Sequence, residues 1–262
     1  MKNDPFHELV FGDRAAAQAD FDARHRTEVD SVVADIGRSF STLVFTTIKG
    51  EELLPGPRYD AFALLNEAVQ FLLSSLHLLR QGAHTEALAL LRVAVEAACV
   101  AIHLVRDADA HARYLGTSGK SYDSARSLSF AKQHIHRVGE FWGALSQAAI
   151  HPNRLAFGPR TEGAGALAIR VGRRGPDPRM EELTLMLISI ASLMVLQASE
   201  LVLFTPDPKD RTWLLLVGGK MKKPALADYL LKKRFSALEA FSPNALNVGA
   251  SDTLNPNSDA GA

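Results

Sequence analysis

Cysteine is nearly missing from this chain: Cys99 is the single one in 262 residues, and it sits inside an apolar run. One thiol excludes an internal disulfide framework and a cysteine-built zinc site, and it suits a reducing cytoplasm. Net charge is missing as well, since 29 basic residues balance 29 acidic ones. No global field therefore draws the chain onto nucleic acid or anionic lipid, and any such partner has to be met by a local patch. There is no phosphate-binding glycine loop of the Walker or dinucleotide type, no His-Glu-x-x-His and no nucleophile elbow. No repeat of fixed period is present either. Met1 to Val10 lacks a basic stretch followed by an apolar run, so no secretory signal is expected. His134 and His136 stand two apart and point to different faces of a helix, so neither a metal nor any other cofactor is expected.

What remains is an ordinary globular composition, 47% hydrophobic and 22% charged, able to bury one large core or two small ones. The most apolar stretch, Leu183 to Leu196, is shorter than the roughly 18–20 residues that span a bilayer. A central bundle helix produces the same signal, so a membrane span is disfavoured, and a membrane-associated helical protein stays as the third reading.

The apolar spacing predicts an all-α protein with about five long helices in a single bundle. Asp13 can cap a first helix from Arg14 towards Ile48, stopped by Gly50 and Pro55-Gly56-Pro57. A second covers Arg58 to Arg80, and a third runs from Thr85, its N-cap, to about Val105. The connection Gln81-Gly82-Ala83-His84 is short enough to make these two antiparallel. Asp107 to Leu128 reads as mixed structure. A fourth helix fits Ser129 to Ile150, ended by Pro152, and a fifth Met180 to Phe204. In the loop 153–179, Ala166 to Val171 alternates in a way that can form a short strand or β-hairpin. The expected organisation is a flexible leader (1–12), the bundle (13–205), a C-terminal appendage (206–241) with an amphipathic helix at Pro224 to Phe235, and a disordered tail (242–262).

Polar residues inside apolar helices are the candidates for function. On the third helix Thr85, Arg92, Glu96 and His103 fall in one strip about 40° wide, at about 100° per residue, and leucines and valines cover the rest. Arg92 and Glu96 stand four apart and can pair. They are a structural ion pair, or simply the helix's narrow solvent face, or part of a polar site in the bundle interior. The second helix carries Asn66, Gln70, Ser74 and His77 at helical spacing. If the two strips face each other they form one seam with His77, Arg92, Glu96 and His103; solvent exposure explains the second strip as well. At the end of the fourth helix, His151 is either a C-terminal cap favoured by the helix dipole or a titratable group at the mouth of the bundle.

Two stretches carry a family resemblance. GAHTEALALLRVAVEAACVAIHL, with Arg92 and Glu96, is followed downstream by LSQAAIHPN, with Ser146, His151 and Asn153. Together they resemble a group of uncharacterised bacterial helical proteins, itself similar to the HEPN superfamily, whose helical bundles include RNA-cleaving toxins, defence proteins and inactive binding modules. The resemblance covers roughly residues 60 to 200. It implies a bundle of four or more helices that pairs as a homodimer, and it leaves activity open. Nuclease members carry Arg, a polar residue, a few more residues and then His. Arg106-Asp107-Ala108-Asp109-Ala110-His111 matches those letters but falls where the third helix ends, whereas the family's motif belongs to a later helix.

Two basic stretches complete the inventory. Arg154, Arg160, Arg170, Arg173, Arg174 and Arg179 follow His151, and arginine forks among glycines can grip phosphates as well as keep a loop solvated. Lys220, Lys222, Lys223, Lys232, Lys233 and Arg234 form the second, around Tyr229 and Phe235, which can touch RNA, an anionic membrane or a protein partner, or simply keep a terminal helix soluble. The expected function is a HEPN-like bundle that binds a ligand, nucleic acid or a protein partner without established catalysis. The alternative is a metal-independent ribonuclease of the toxin or phage-defence type using His111 or His151 with an arginine such as Arg106.

Overall fold

The computed structural model describes residues 14–48, 55–150, 177–203 and 226–242. Among them are nine α-helices and no strand, so the chain is all-α. They are α1 (Arg14–Arg24), α2 (Arg26–Ile48), α3 (Pro57–Arg80), α4 (His84–Arg106), α5 (Ala108–Tyr114), α6 (Ser124–Ala131), α7 (Val138–Leu145), α8 (Pro178–Leu203) and α9 (Leu226–Phe241). The last turn after α7, Ser146–Ile150, is wound as a π-helix. The expected leader, the hairpin at Ala166 to Val171 and the tail beyond Ser242 lie outside the described residues.

Of the about five long helices expected, α2, α3, α4 and α8 are long among the described residues, while the expected first and fourth are each broken into shorter pieces. The first predicted helix bends at His25, whose ring turns inward to Glu181, although the bonds from His25 N to Phe21 O and Val29 N to His25 O continue across the bend. The predicted fourth helix is cut before Val138 by Arg137, which holds a left-handed backbone at φ 55°. That conformation costs a non-glycine residue about 1–2 kcal/mol. Here it is held by the Arg137 side chain, which bonds Glu140 at 2.8 Å, pairs with Glu239 and lies over the Phe235 ring. Such a tertiary cause leaves no mark in helical periodicity.

The α3–α4 hairpin has a local cause. Ala83 N bonds Leu78 O at 2.9 Å and Gly82 N bonds Leu79 O at 2.8 Å, the paired bonds of a Schellman end, with Gly82 at φ 75° where only glycine is unstrained. Because that turn runs directly into α4, the residue before the helix is Ala83, with no side-chain cap; the cap expected from Thr85 is not made. Ser75 Oγ donates to Ala87 O across the hairpin at 2.9 Å.

Helix α8 is the centre. It packs against α2, α3, α4 and α9, and every residue from Ile188 to Ser199 is buried. Contacts of His25 with Glu181, Asp35 with Ser189 and Ser39 with the Ser192 carbonyl show that α2 runs parallel to it. Arg58 of α3 and Arg106 of α4 both donate to carbonyls at its far end, Leu203 and Leu201. Helix α9, expected as part of an appendage, contributes Ala227, Leu231, Phe235 and Leu238 to the same core. Cys99 lies in that core, and burial, with Glu96 nearby, pushes its thiol up to about 12. By length and composition α3, α4 and α8 could each cross a bilayer, whereas the longest apolar run in the sequence points only to the last.

Replacing Gly82 by alanine is expected to lower stability by about 1 kcal/mol, the left-handed penalty less the entropy lost from the unfolded chain. Urea unfolding followed by circular dichroism measures this. An unchanged midpoint would show that the hairpin does not depend on the turn.

A half-buried arginine at the α4–α7 junction

The polar strip of α4 is covered by α6 and α7, and not by α3. On α3, Gln70, Ser74 and His77 are exposed, and His77 bonds Gln81 of its own helix end. The structure therefore does not bring His77 to Arg92. Instead Arg92 Nε donates to Ser146 Oγ at 3.0 Å, and the guanidinium lies 4.6 Å from the centroid of the Trp142 ring. Ser146 in turn donates its hydroxyl hydrogen to the Trp142 carbonyl at 2.9 Å. Glu96 stands one turn further along α4, 3.8 Å from Arg92 Nη2, with both side chains about a quarter exposed (24% and 29%). A pair that long and that wet is worth less than about 1 kcal/mol. The hydroxyl and the indole, both on the far side of the junction, are the firmer ties.

The residues carrying the two halves of the resemblance, Arg92 and Ser146, thus meet. They meet where the helix widens into its π-helical turn, a geometry that is rare and often found at functional sites. His151 and Asn153, which follow that turn, lie outside the described residues, as do Arg154, Arg170, Arg173 and Arg174. Trp142 was not singled out in the sequence. Its only signal there is its position one helical turn before Ser146.

His103 belongs to a second cluster, eleven residues and about 16 Å along α4 at about 1.5 Å per residue. It is buried at 5% exposure, with Nδ1 2.9 Å from Ser127 Oγ and Nε2 3.2 Å from Asp107 Oδ2, and its ring stacks on Phe130 at 4.9 Å. Tyr122 bonds the same serine, and Arg113 pairs with Asp107 at 3.3 Å. Serine, histidine and aspartate in line suggest a nucleophile relay. Ser127, however, is fully buried and shares its oxygen with two partners, so no substrate carbonyl can reach it. Burial alone would raise the Asp107 carboxyl. The Ala110 and Asp109 amides that it caps, together with His103, outweigh that and hold it below its ordinary value.

Arg106 and His111 do not converge. Arg106 Nη2 donates to the Leu201 carbonyl at 3.2 Å, while His111 Nε2 contacts Asp60 Oδ2 of α3 at 2.7 Å. No family model, curated protein or solved structure matches the chain.

Two predictions follow from these geometries. Ser146→Ala should destabilise by about 1 kcal/mol, since it strands a half-buried guanidinium nitrogen, and Glu96→Ala by less than about 0.5 kcal/mol. Denaturant titration of both variants checks the order, and the reverse order would make Glu96 the main tie of Arg92. Separately, burial raises the Glu200 carboxyl to about 8. A carboxyl raised on folding favours the folded state fully below its unfolded value, and that advantage is lost as pH rises towards 8. Stability should therefore fall between about pH 4.5 and 8, and Glu200→Gln should flatten that slope and raise the melting temperature at neutral pH. A pH profile parallel to the parent's would contradict this.

Proposed function

We propose that this chain is a HEPN-like, non-catalytic bundle that binds single-stranded RNA at the α4–α7 junction. The supporting observation is Arg92, positioned through Nε by Ser146 and by the face of Trp142, and left about a quarter exposed beside the π-helical turn. A guanidinium held at Nε presents its outer nitrogens, one of them only loosely paired with Glu96 at 3.8 Å, to the oxygens of a phosphate. An indole beside it adds apolar and stacking surface of the kind single-stranded nucleic acid uses. The chain then continues from that turn into its arginine-rich stretch, Arg154 to Arg179. The separate engagements of Arg106 and His111 weigh towards binding rather than cleavage.

The same reading places the protein in the cytoplasm as a homodimer. Support for pairing is the ridge of Val33 and Phe40 on α2, about half exposed at 51% and 49%. The membrane-associated alternative draws on the length and apolarity of α3, α4 and α8. Against it, α3 would turn Gln70, Ser74 and His77 to lipid. Extraction of the full chain without detergent distinguishes the two.

Fluorescence anisotropy with labelled single-stranded RNA is expected to show saturable binding with the RNA left intact. Arg92→Ala should weaken it about tenfold and reduce the salt slope by about one. Cleavage abolished by His111→Ala or His151→Ala transfers the protein to the ribonuclease class. Absence of binding, or equal binding by Arg92→Ala, removes the junction as a site.

A further inference from the structure

Arg92 is oriented by groups other than Glu96. Its Nε donates to Ser146 Oγ, and the flat face of its guanidinium lies over the Trp142 ring. The edge left for a ligand with paired oxygens is the outer one, Nη1 together with Nη2. Glu96 stands at that edge, with Oε2 3.8 Å from Nη2, too far for a hydrogen bond. Neither Glu96 oxygen accepts a hydrogen bond among the described residues. Arginine followed four residues later by glutamate is also the weaker orientation of a helical ion pair.

The carboxylate nevertheless stays beside the guanidinium, because the two residues lie one turn apart on the same face of α4 and both side chains are about a quarter exposed. Its field is also felt inward, at Cys99, whose thiol is pushed up to about 12 by burial first and by Glu96 second. The groups that hold the guanidinium on its other sides, a hydroxyl and an indole, carry no charge. The charge that an anion meets at the outer edge of Arg92 is therefore the sum of one guanidinium and one carboxylate.

We infer that Glu96 determines which phosphates Arg92 accepts: it admits the singly charged phosphodiester of an RNA chain and turns away doubly charged phosphates, such as the free ion or a terminal monoester. For its natural ligand this rests on the RNA-binding reading above. Arg92 attracts a dianion twice as strongly as a diester, and Glu96 repels it twice as strongly, so the carboxylate cancels much of the advantage that extra charge would give. What remains is lost hydration, and that cost rises with the square of the charge. An RNA chain also brings bases to the indole, which a bare phosphate lacks. Selection here works through repulsion, since Glu96 weakens every anion but weakens the dianion most.

The test uses two probes on the full chain at low salt. A 3′-labelled, 5′-hydroxyl RNA hexamer is followed by fluorescence anisotropy, and inorganic phosphate, doubly charged at about pH 8, by the line width of its phosphorus NMR signal. The parent chain is expected to bind the hexamer and to bind phosphate barely. Glu96→Gln, verified as folded by circular dichroism, is expected to bind the hexamer about threefold and phosphate about tenfold more tightly than the parent. Both gains should vanish in the R92A/E96Q chain. A loss of affinity in Glu96→Gln, an equal gain for the two probes, or a gain that persists without Arg92 would each overturn the inference while leaving the RNA reading in place. Phosphate binding that rises in Glu96→Gln with no hexamer binding in any chain would remove the RNA reading and leave the role of Glu96. Neither probe bound by any chain would overturn both.

Discussion

Helix α8 has no face to give to water along most of its length, and the rest of the bundle follows from that constraint. A helix apolar on all sides is stable only when surrounded, so α2, α3, α4 and α9 are arranged around it. Its hydroxyls avoid the penalty of burial by bonding within the helix, Thr184 to Met180, Ser192 to Ile188 and Ser199 to Val195. It reaches sideways through Glu181, Ser189, the Gln197 amide and a few of its carbonyls, and those contacts set the register of its neighbours.

Two such contacts stand out. Glu181, almost fully buried, accepts from both Arg24 and His25, and so locates the bend between α1 and α2. Asp35, also buried, is shared by Ser189, Arg38 and Arg234, and so ties α2, α8 and α9 at one point. Hydrophobic contact tolerates sliding, whereas a buried carboxylate is costly unless it finds its partners. These two carboxylates therefore give direction and register to an assembly that apolar packing alone would leave loose.

The α6–α7 segment gives the bundle its polar interior. By covering α4 it buries His103 under Phe130 and Ser127, and brings Trp142 and Ser146 to Arg92. Both clusters lie on one helix; Trp142, Ser146 and Phe130 come from the stretch that periodicity reads as one rod from Ser129 to Ile150, while Ser127 comes from the stretch just before it. The left-handed Arg137 breaks that rod and turns α7 so that its indole reaches the guanidinium.

The sequence by itself determined the all-α class, the α3–α4 hairpin through Gly82, and the near-continuous burial of α8 and α4. These depend on local geometry and on the period of apolar residues, both written along the chain. It also marked Arg92, Glu96 and His103 as anomalies, because a charged or titratable group in an apolar helix shows without any knowledge of its surroundings. Only the tertiary structure decided what those residues touch. Arg92 meets Ser146 and Trp142 and not His77, and His103 lies in a cluster apart, because which helix covers a polar strip depends on the breaks at His25 and Arg137. Those breaks are made by side chains distant in sequence, Glu181 for one and Glu239 with Phe235 for the other, and no local pattern records them.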